Sequence, residues 1–493
     1  TVIPNLELKM GFRCLPEGNL DRLTAVSNHV AEVLNRPLNP QAPYVGFSAF
    51  AHKAGLHVSA IKRAKDAYEH IDPVVVGNGT RFVVSEMAGR ATIEVKAEEL
   101  GLQLDGAAIG SVIDDLKRLH KRRTPKMFFD YCESGSYTEQ TFRENVSDFA
   151  QIRLRQKVAV DMSNRSIAGR MIGQPVTMPV ALAPVGLTGM QSADGEIKAA
   201  RAAEKFGVPF TLSTMSICSI EDVAAHTSAP FWFQLYVMKD EDFVDRIIDR
   251  AKAANCSALV LTLDLQILGQ RHKDIKNGLS APPKLTIPNI LNMMTKPEWC
   301  LGMLGTKHRS FGNIVGHATG VGDLSSLSSW TAEQFDPQLD WGKVARIRDR
   351  WGGKLIIKGV LDADDARRAA DFGADAIVVS NHGGRQLDGA LSSIRILPQV
   401  VRAVKGQTEI WIDSGIRSGQ DILKALALGA DGTMIGRSYI YGLGAMGEAG
   451  VTKALEVMQK ELDTTMALCG ERDIRNLGAH NLLVPKDFEG DWA

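Results

Sequence analysis

Lys354-Leu355-Ile356-Ile357-Lys358-Gly359-Val360, then Ala363 to Phe372, then Ala376-Ile377-Val378-Val379-Ser380, reads as a strand, a helix and a second strand. The two outer runs are short, apolar and rich in β-branched residues, as suits a chain covered on both faces. The stretch between them spaces its alanines at the 3.6-residue period of a crossover helix, and a strand–helix–strand unit pairs its strands in parallel. Outward from this unit the alternation repeats. The strand runs are Met178 to Pro184, Val208 to Ser213, Phe231 to Tyr236, Ala258 to Asp264, Lys354 to Val360, Ala376 to Ser380, Glu409 to Asp413 and Gly432 to Gly436. Helical patterns such as Glu196 to Phe206 and Gly419 to Leu428 lie between them, and eight such units predict an α/β fold of the (β/α)8 TIM-barrel type.

A barrel of this kind gathers its chemistry at the carboxyl ends of its strands. Here those ends carry Pro184, Ser213, Gln234 with Tyr236, Thr262 with Asp264, Lys358, Ser380 with His382, Asp413, and Gly436 with Arg437. Any one alone reads as a cap or a solvated loop residue; eight in register read as a site. The sixth end, Ser380-Asn381-His382-Gly383-Gly384-Arg385-Gln386-Leu387-Asp388, sets a general base three residues from a fixed cation. That pairing suits removal of hydrogen from the α-carbon or hydroxyl of a hydroxy acid whose carboxylate the Arg binds. The last two ends, Asp413-Ser414-Gly415-Ile416-Arg417-Ser418-Gly419 and Gly436-Arg437, offer a Gly-rich turn, a helix start and two arginines, the means by which a barrel holds a phosphate. Lys358 follows the buried-type run Leu355-Ile356-Ile357 and reads as a fixed charge for an electron-rich ring rather than a snorkelling lysine.

The 493 residues suggest about two to four domains. Basic and acidic side chains number 57 each and are interspersed, so no footprint for nucleic acid is visible and a small-molecule enzyme is expected. Cys14, Cys132, Cys218, Cys256, Cys300 and Cys469 form no Cys-x-x-Cys and no zinc-like cluster, so no metal is expected there. No secretory leader is seen, and a reducing cytoplasm fits. The chain opens on Thr1 within what reads as a folded segment, so a cut at its N-terminus is expected.

From about residue 112 to the C-terminus the sequence resembles the FMN-dependent α-hydroxy acid oxidase and dehydrogenase family, most closely its L-lactate dehydrogenase branch. The resemblance implies FMN as cofactor. It places Tyr131, in Pro125-Lys126-Met127-Phe128-Phe129-Asp130-Tyr131, and Tyr236, in Phe233-Gln234-Leu235-Tyr236, on the substrate carboxylate and oxygen. Arg271, in Leu268-Gly269-Gln270-Arg271, and Arg385 bind the carboxylate on this reading. The backbone of Ala183, Pro184, Val185 and Gly186, with Ser213, Gln234, Thr262 and Lys358, holds the flavin ring. Asp413, Ser414, Gly415 and Arg417, with Gly436 and Arg437, take the ribityl chain and phosphate.

The reaction so implied is a two-stage cycle. His382 accepts a proton as two electrons pass from the substrate α-carbon to the flavin, Asp264 orients the imidazole, and Lys358 steadies the reduced flavin. A small L-2-hydroxy acid is expected, with L-lactate leading; Met215 suits a short aliphatic group. A phosphorylated substrate is a further reading, against which His382, two arginines and two tyrosines favour a small carboxylate. There is no Cys-x-x-Cys-His haem attachment, so electrons go to quinone or O₂. The roughly ninety residues between Asp264 and Lys354 exceed a normal βα connection. Within them, Ile287 to Met294 and Trp299 to Leu304 are apolar but too short and interrupted to span a bilayer. They read either as a lid on the barrel mouth or as an interfacial patch that meets quinone at the inner face of the cytoplasmic membrane. A homo-oligomer is also expected.

The first 110 or so residues are of another kind. His52 and His57, within Pro43 to Ala60, are five apart, the wrong spacing for a metal pair on one helix face. Thr1 to about Leu116 nevertheless resembles the end of the catalytic barrel and the linker subdomains of citramalate synthase, a relative of 2-isopropylmalate synthase. That family needs a metal held by a barrel that includes a His-x-His pair, and no two histidines of this chain are two apart. Citramalate synthesis is therefore not expected, although acyl-CoA transfer or a noncatalytic remnant stands as the alternative function. The expected domains are 1–116, synthase-like, and 117–493, the FMN barrel. Ile109, Val112, Ile113, Leu116 and Leu119 make an amphipathic stripe across the seam, so a helix is expected to join the parts, as in a gene fusion.

Overall fold

All eight expected strands form, one (Lys354–Val360) at its expected bounds and the other seven shorter than their apolar runs. In the computed structural model they are β1 (Val180–Leu182), β2 (Thr211–Ser213), β3 (Trp232–Tyr236), β4 (Ala258–Thr262), β5 (Lys354–Val360), β6 (Ala376–Val379), β7 (Glu409–Ile412) and β8 (Gly432–Ile435). The structure describes residues 2–52, 71–79, 81–82, 112–279, 286–317 and 334–488, the side chains of 51, 52, 81 and 82 excepted. Neighbours run β1-β8-β7-β6-β5-β4-β3-β2, all parallel, and a parallel bridge between Leu182 and Phe210 closes the ring.

The two-residue period of the strands explains where the site lies. Ala181, Trp232, Val260, Ile356, Val378, Trp411 and Met434 point into the barrel and form one apolar cluster, in which the Trp232 and Trp411 rings stack at 5.1 Å. Met171, Ile172 and Val176, from the hairpin Gly169–Met171 and Gln174–Val176, join this cluster. Glu409 ties the hairpin down, its Oε2 accepting from Ile172 N at 2.9 Å and Trp411 Nε1 at 3.0 Å. The alternate residues, among them Leu182, Phe233, Leu261, Ile357, Val379 and Ile412, pack under the helices. One further inward step from the apolar cluster reaches Ala183, Gln234, Thr262, Lys358, Ser380, Asp413 and Gly436. The polar residues at the strand ends therefore continue the inward register and converge on one mouth.

The chain divides into two compact units, Thr1–Ser111 and Val112–Ala493. Of the first, the described part holds helices Val2–Met10 and Leu23–Val33, a pair of parallel two-residue strands, Ala51–His52 and Arg81–Phe82, and a small core of Tyr44, Phe50 and Val76. His57 and most of the segment around it lie outside the described residues, as does Ile109 of the seam. The second unit opens on the helix Val112–Arg123, which buries Ile113, Leu116 and His120. This is the C-terminal part of the amphipathic stripe.

His120 yields a prediction about stability. It is fully buried, with Nε2 2.9 Å from Gln191 Oε1 and its ring against Gly444, where an added Cβ would fall 1.9 Å from Cδ2. Burial lowers its pKa from 6.5 to about 4, more than the Gln191 bond raises it. The unfolded chain thus takes up a proton near pH 6.5 that the folded chain refuses until about 4. This contribution is complete above pH 6.5 and is lost as pH falls, by up to about 3 kcal/mol near pH 4. His120→Gln is expected to flatten the fall of the urea midpoint between pH 7 and pH 5; an unchanged slope would show that His120 is not its source.

Candidate active site

The loop after β6 runs through three left-handed residues in succession: His382 (φ 58), Gly383 (φ 70) and Gly384 (φ 73). Glycine is needed at the last two, since a Cβ would fall 2.6 Å from Arg437 Nη1 at Gly383 and 2.5 Å from Phe142 N at Gly384. His382 carries a real Cβ in this region, a strain that the surroundings must hold. Its N–H donates to Ser380 Oγ (3.1 Å), Gly383 N to Ser414 Oγ (2.9 Å) and Gly384 N to Asn381 Oδ1 (3.0 Å). Asn381 in turn exchanges two amide hydrogen bonds with Asn145, at 2.9 and 2.7 Å.

So held, His382 has Nδ1 3.0 Å from Asp264 Oδ1 and Nε2 3.2 Å from Tyr236 Oη. Burial would raise the Asp264 carboxyl, but the charge and hydrogen bond of His382 and the charge of Lys358 outweigh it and keep it low. Burial lowers His382, and Lys358 and Arg385 add to this against the pull of Asp264. The direction at His382 favours a neutral imidazole, and the hydrogen bond it makes together with the charge of Lys358 favours an anionic Asp264 beside it. Asp264 accepts from Nδ1–H, which leaves the lone pair on Nε2, the atom a general base uses.

Two guanidiniums lie against the Tyr131 ring: Arg385 Cζ is 4.5 Å and Arg271 Cζ 5.9 Å from its centre. Arg385 Nη1 donates to the Tyr131 and Ser134 carbonyls, whereas its buried Nη2 makes no hydrogen bond among the described residues. Asp274 lies between the two cations, 3.4 Å from Arg271 Nη1 and 3.9 Å from Arg385 Nη2. A carboxylate entering here would meet the unsatisfied Nη2 of Arg385.

Across the mouth, Lys358 Nζ lies 3.0 Å from Asp413 Oδ2 and donates to Ser380 Oγ at 2.8 Å. Burial would lower this ammonium, but Asp413 and Asp264 raise it, so it stays charged. Ser213 Oγ donates to Gln234 Oε1 at 3.0 Å, while Gln234 Nε2 and Thr262 Oγ1 are buried without partners among the described residues. Two orphaned polar atoms beside a buried cation suit a flat group with polar edges, because such atoms are costly to leave unpaired. At the end of β1, Gly186 leaves room that a Cβ would fill, 3.0 Å from Tyr131 Oη and 3.3 Å from Met215 Cβ.

The phosphate end differs in detail from the sequence expectation. The helix Gly419–Ala427 is closed by its own capping box of Ser418 and Asp421, and Asp421 also accepts from Arg417 N at 2.9 Å. Of its first N–H groups, that of Asp421 is taken by Ser418 Oγ and that of Gly419 by Glu461 Oε2 at 2.8 Å. The helix Arg437–Met446, after β8, has no side-chain cap, so its N-terminal N–H groups suit an anion. The Arg437 guanidinium is itself partly engaged, Nε by the Cys132 carbonyl (2.8 Å) and Nη2 by those of Ser134 (2.9 Å) and Gly383 (3.0 Å), which leaves Nη1 and the backbone to offer. Gly415 (φ 99) lies against Asn145 O, 1.8 Å from where a Cβ would sit.

A cavity of about 1260 Å³ joins these groups. Tyr131, Ala183 to Gly186, Tyr236, Thr262, Arg271, Lys358, His382, Arg385, Asp413 to Gly415, Arg417, Gly436 and Arg437 all line it. Of the expected site residues, Asp264, Ser213 and Gln234 lie behind the lining, Asp264 on His382 and the other two on each other. The helices Ile287–Met294 and Pro297–Gly305 contribute Met293, Trp299 and Met303 to the outer wall. Sequence reasoning missed Asp274 and Ser134; the available signal was the Arg271-x-x-Asp274 spacing, which puts both on one helical face.

A base with an anion behind it, a free cationic donor and a charged Lys in one cavity can bind a small carboxylate and remove a proton beside it. The sequence profile of the FMN-dependent dehydrogenase family matches residues 120–484, and that of the homocitrate synthase post-HMGL domain-like family matches 44–124. L-lactate dehydrogenase of Pseudomonas entomophila is 47% identical over 76% of this chain and 98% of its own length. The Vibrio cholerae L-lactate dehydrogenase is 46% identical over 76% of this chain and 99% of its own. Among solved structures, the monotopic membrane protein (S)-mandelate dehydrogenase matches with a TM-score of 0.72 and 37% identity, over 76% of this chain and 99% of its own. A mandelate oxidase matches with a TM-score of 0.64 and 33% identity, over 75% of this chain and 97% of its own.

Proposed function

From the premise that the chain belongs to the FMN-dependent dehydrogenase family, we propose that it oxidises L-lactate to pyruvate and passes the electrons to a quinone at a membrane surface. FMN is the cofactor of this family, and oxidation of a 2-hydroxy acid is its reaction here. The residues present fit that cofactor. The backbone of Ala183 to Gly186, Ser213, the unpaired Gln234 and Thr262 atoms, and the charged Lys358 would hold the ring. Asp413, Ser414, Gly415, Arg417 and the uncapped start at Gly436-Arg437 would hold the ribityl phosphate. When bound, FMN supplies the acceptor for two electrons.

The rest falls to this chain's own side chains. Arg385 and Arg271 take the substrate carboxylate, and Tyr131 and Tyr236 fix its oxygens. His382 Nε2 receives the proton, and Asp264 stabilises the imidazolium so formed. Burial keeps the Tyr236 phenol far above its usual pKa, so it acts only as a neutral donor. The observation that carries this reading is His382, its Nδ1 3.0 Å from Asp264 Oδ1, in one cavity with the unbonded Arg385 Nη2.

L-lactate is favoured over an aryl hydroxy acid by the higher identity to proteins named for it, 47% against 37% for (S)-mandelate dehydrogenase. A quinone acceptor is supported by the helix pair at the cavity wall. Its outward side chains Ile287, Met294 and Leu301 are 75%, 72% and 70% exposed, as on a face that meets lipid. Among the described residues no helix is long and apolar enough to cross a membrane. We assign residues 1–116 to a noncatalytic synthase-like segment and 117–493 to the flavin barrel. With a soluble quinone analogue as acceptor, kcat/KM for L-lactate is expected to exceed that for (S)-mandelate at least about tenfold, the scale on which pocket size discriminates. A preference for mandelate would overturn the substrate, and faster turnover with O₂ than with quinone the acceptor.

A further inference from the structure

We propose that Asp274 is a positioning residue that stands in for the substrate carboxylate, holding Arg271 and Arg385 side by side until substrate arrives. The inference rests on the reading of those arginines as the carboxylate site. Asp274 is 7% exposed and sits on the short helix His272–Lys276, three residues after Arg271. Its Oδ2 lies 3.4 Å from Arg271 Nη1 and 3.9 Å from Arg385 Nη2, and Ser134 Oγ donates to its Oδ1 at 3.3 Å.

These distances define the role. A committed guanidinium–carboxylate pair closes to about 2.7–2.9 Å and uses the donors it meets. Asp274 stays outside that range from both cations, and Arg385 Nη2 keeps its hydrogen bond unmade although it is buried. The aspartate therefore offsets the repulsion of two buried like charges without consuming the N–H groups that a substrate needs. Without it, burial and mutual repulsion, which already disfavour the charge on Arg271, would lose the one carboxylate named among the groups that oppose them. A site so altered would draw anions more strongly and orient them less well.

The test is Asp274→Asn, which keeps the shape and the Ser134 contact but removes the charge. Oxalate, an unreactive dianion, is titrated into oxidised holoenzyme and read by the change in flavin absorbance, and L-lactate kinetics are measured beside it. Oxalate is expected to bind about tenfold more tightly, with kcat for L-lactate falling at least about tenfold and KM unchanged or lower. Oxalate affinity that is unchanged or weaker, or a raised KM with kcat intact, would overturn the proposal. Asp274→Glu keeps the charge and is expected to hold oxalate within about threefold of the parent even where kcat drops. Tightening in the Glu variant would overturn the proposal even if the Asn variant failed to fold. Failure of the functional reading is separate: it appears in the parent enzyme, as flavin that L-lactate does not reduce.

Discussion

Replacing His382 by Gln is expected to leave FMN on the protein while L-lactate turnover falls by roughly four orders of magnitude, the upper range for loss of a general base. The amide can keep a hydrogen bond to Asp264 and the same reach into the cavity, but it has no basic lone pair to receive the proton. The bonds that hold the loop come from Ser380, Ser414 and the Asn381–Asn145 pair, none of which the substitution touches. The flavin-to-protein ratio and the rate of anaerobic flavin reduction in a single turnover read the two effects apart. Rapid reduction in the variant would sink the assignment of the base.

Asp264→Asn is expected to cost up to about ten-thousandfold in kcat, again with FMN retained, by analogy with amide substitution behind other catalytic histidines. Two effects combine. The neutral amide no longer stabilises the imidazolium that forms as the proton arrives. It can also donate to Nδ1, which moves the ring hydrogen to Nε2 and blocks the base. The pH profile separates this from general damage. His382 is needed neutral and its pKa lies below 6.5, so activity rises with pH along an acid limb below that value. Asp264 is the group that raises His382, and without it the limb should move to lower pH. A limb that stays in place while kcat falls would mean that Asp264 does not act through His382.

The strands were legible in the sequence because both faces of each are buried, which leaves continuous apolar runs such as Leu355-Ile356-Ile357 and Ile377-Val378-Val379. Their ends were less so. Met178 to Pro184 narrows to Val180–Leu182 because ladder pairing stops where the chain turns toward the next helix, while the apolar composition does not. The site was legible as a set, since a two-residue period carries Gln234, Thr262, Lys358, Ser380 and Asp413 to the same mouth as the apolar residues beneath them.

What escaped depends on contacts across the chain. Asp274 meets Ser134 over 140 residues, and from sequence a carboxylate three after an Arg reads as an ordinary surface pair. The loop Asp413 to Gly419 read as a Gly-rich turn leading into an anion-binding helix start; the structure shows that helix capped by Ser418 and by Asp421, which lies beyond the motif. The runs Ile287 to Met294 and Trp299 to Leu304 read as a lid or an interfacial patch, and the two helices they form present side chains to the cavity and to solvent alike.

The measurement that tests the central claim most directly is the visible spectrum of the purified full chain without oxygen, before and after L-lactate. An oxidised-flavin spectrum that bleaches on addition, with one pyruvate formed per flavin, is the predicted result. A flavin spectrum that L-lactate leaves unchanged would contradict the substrate, and a colourless protein would contradict the cofactor site itself.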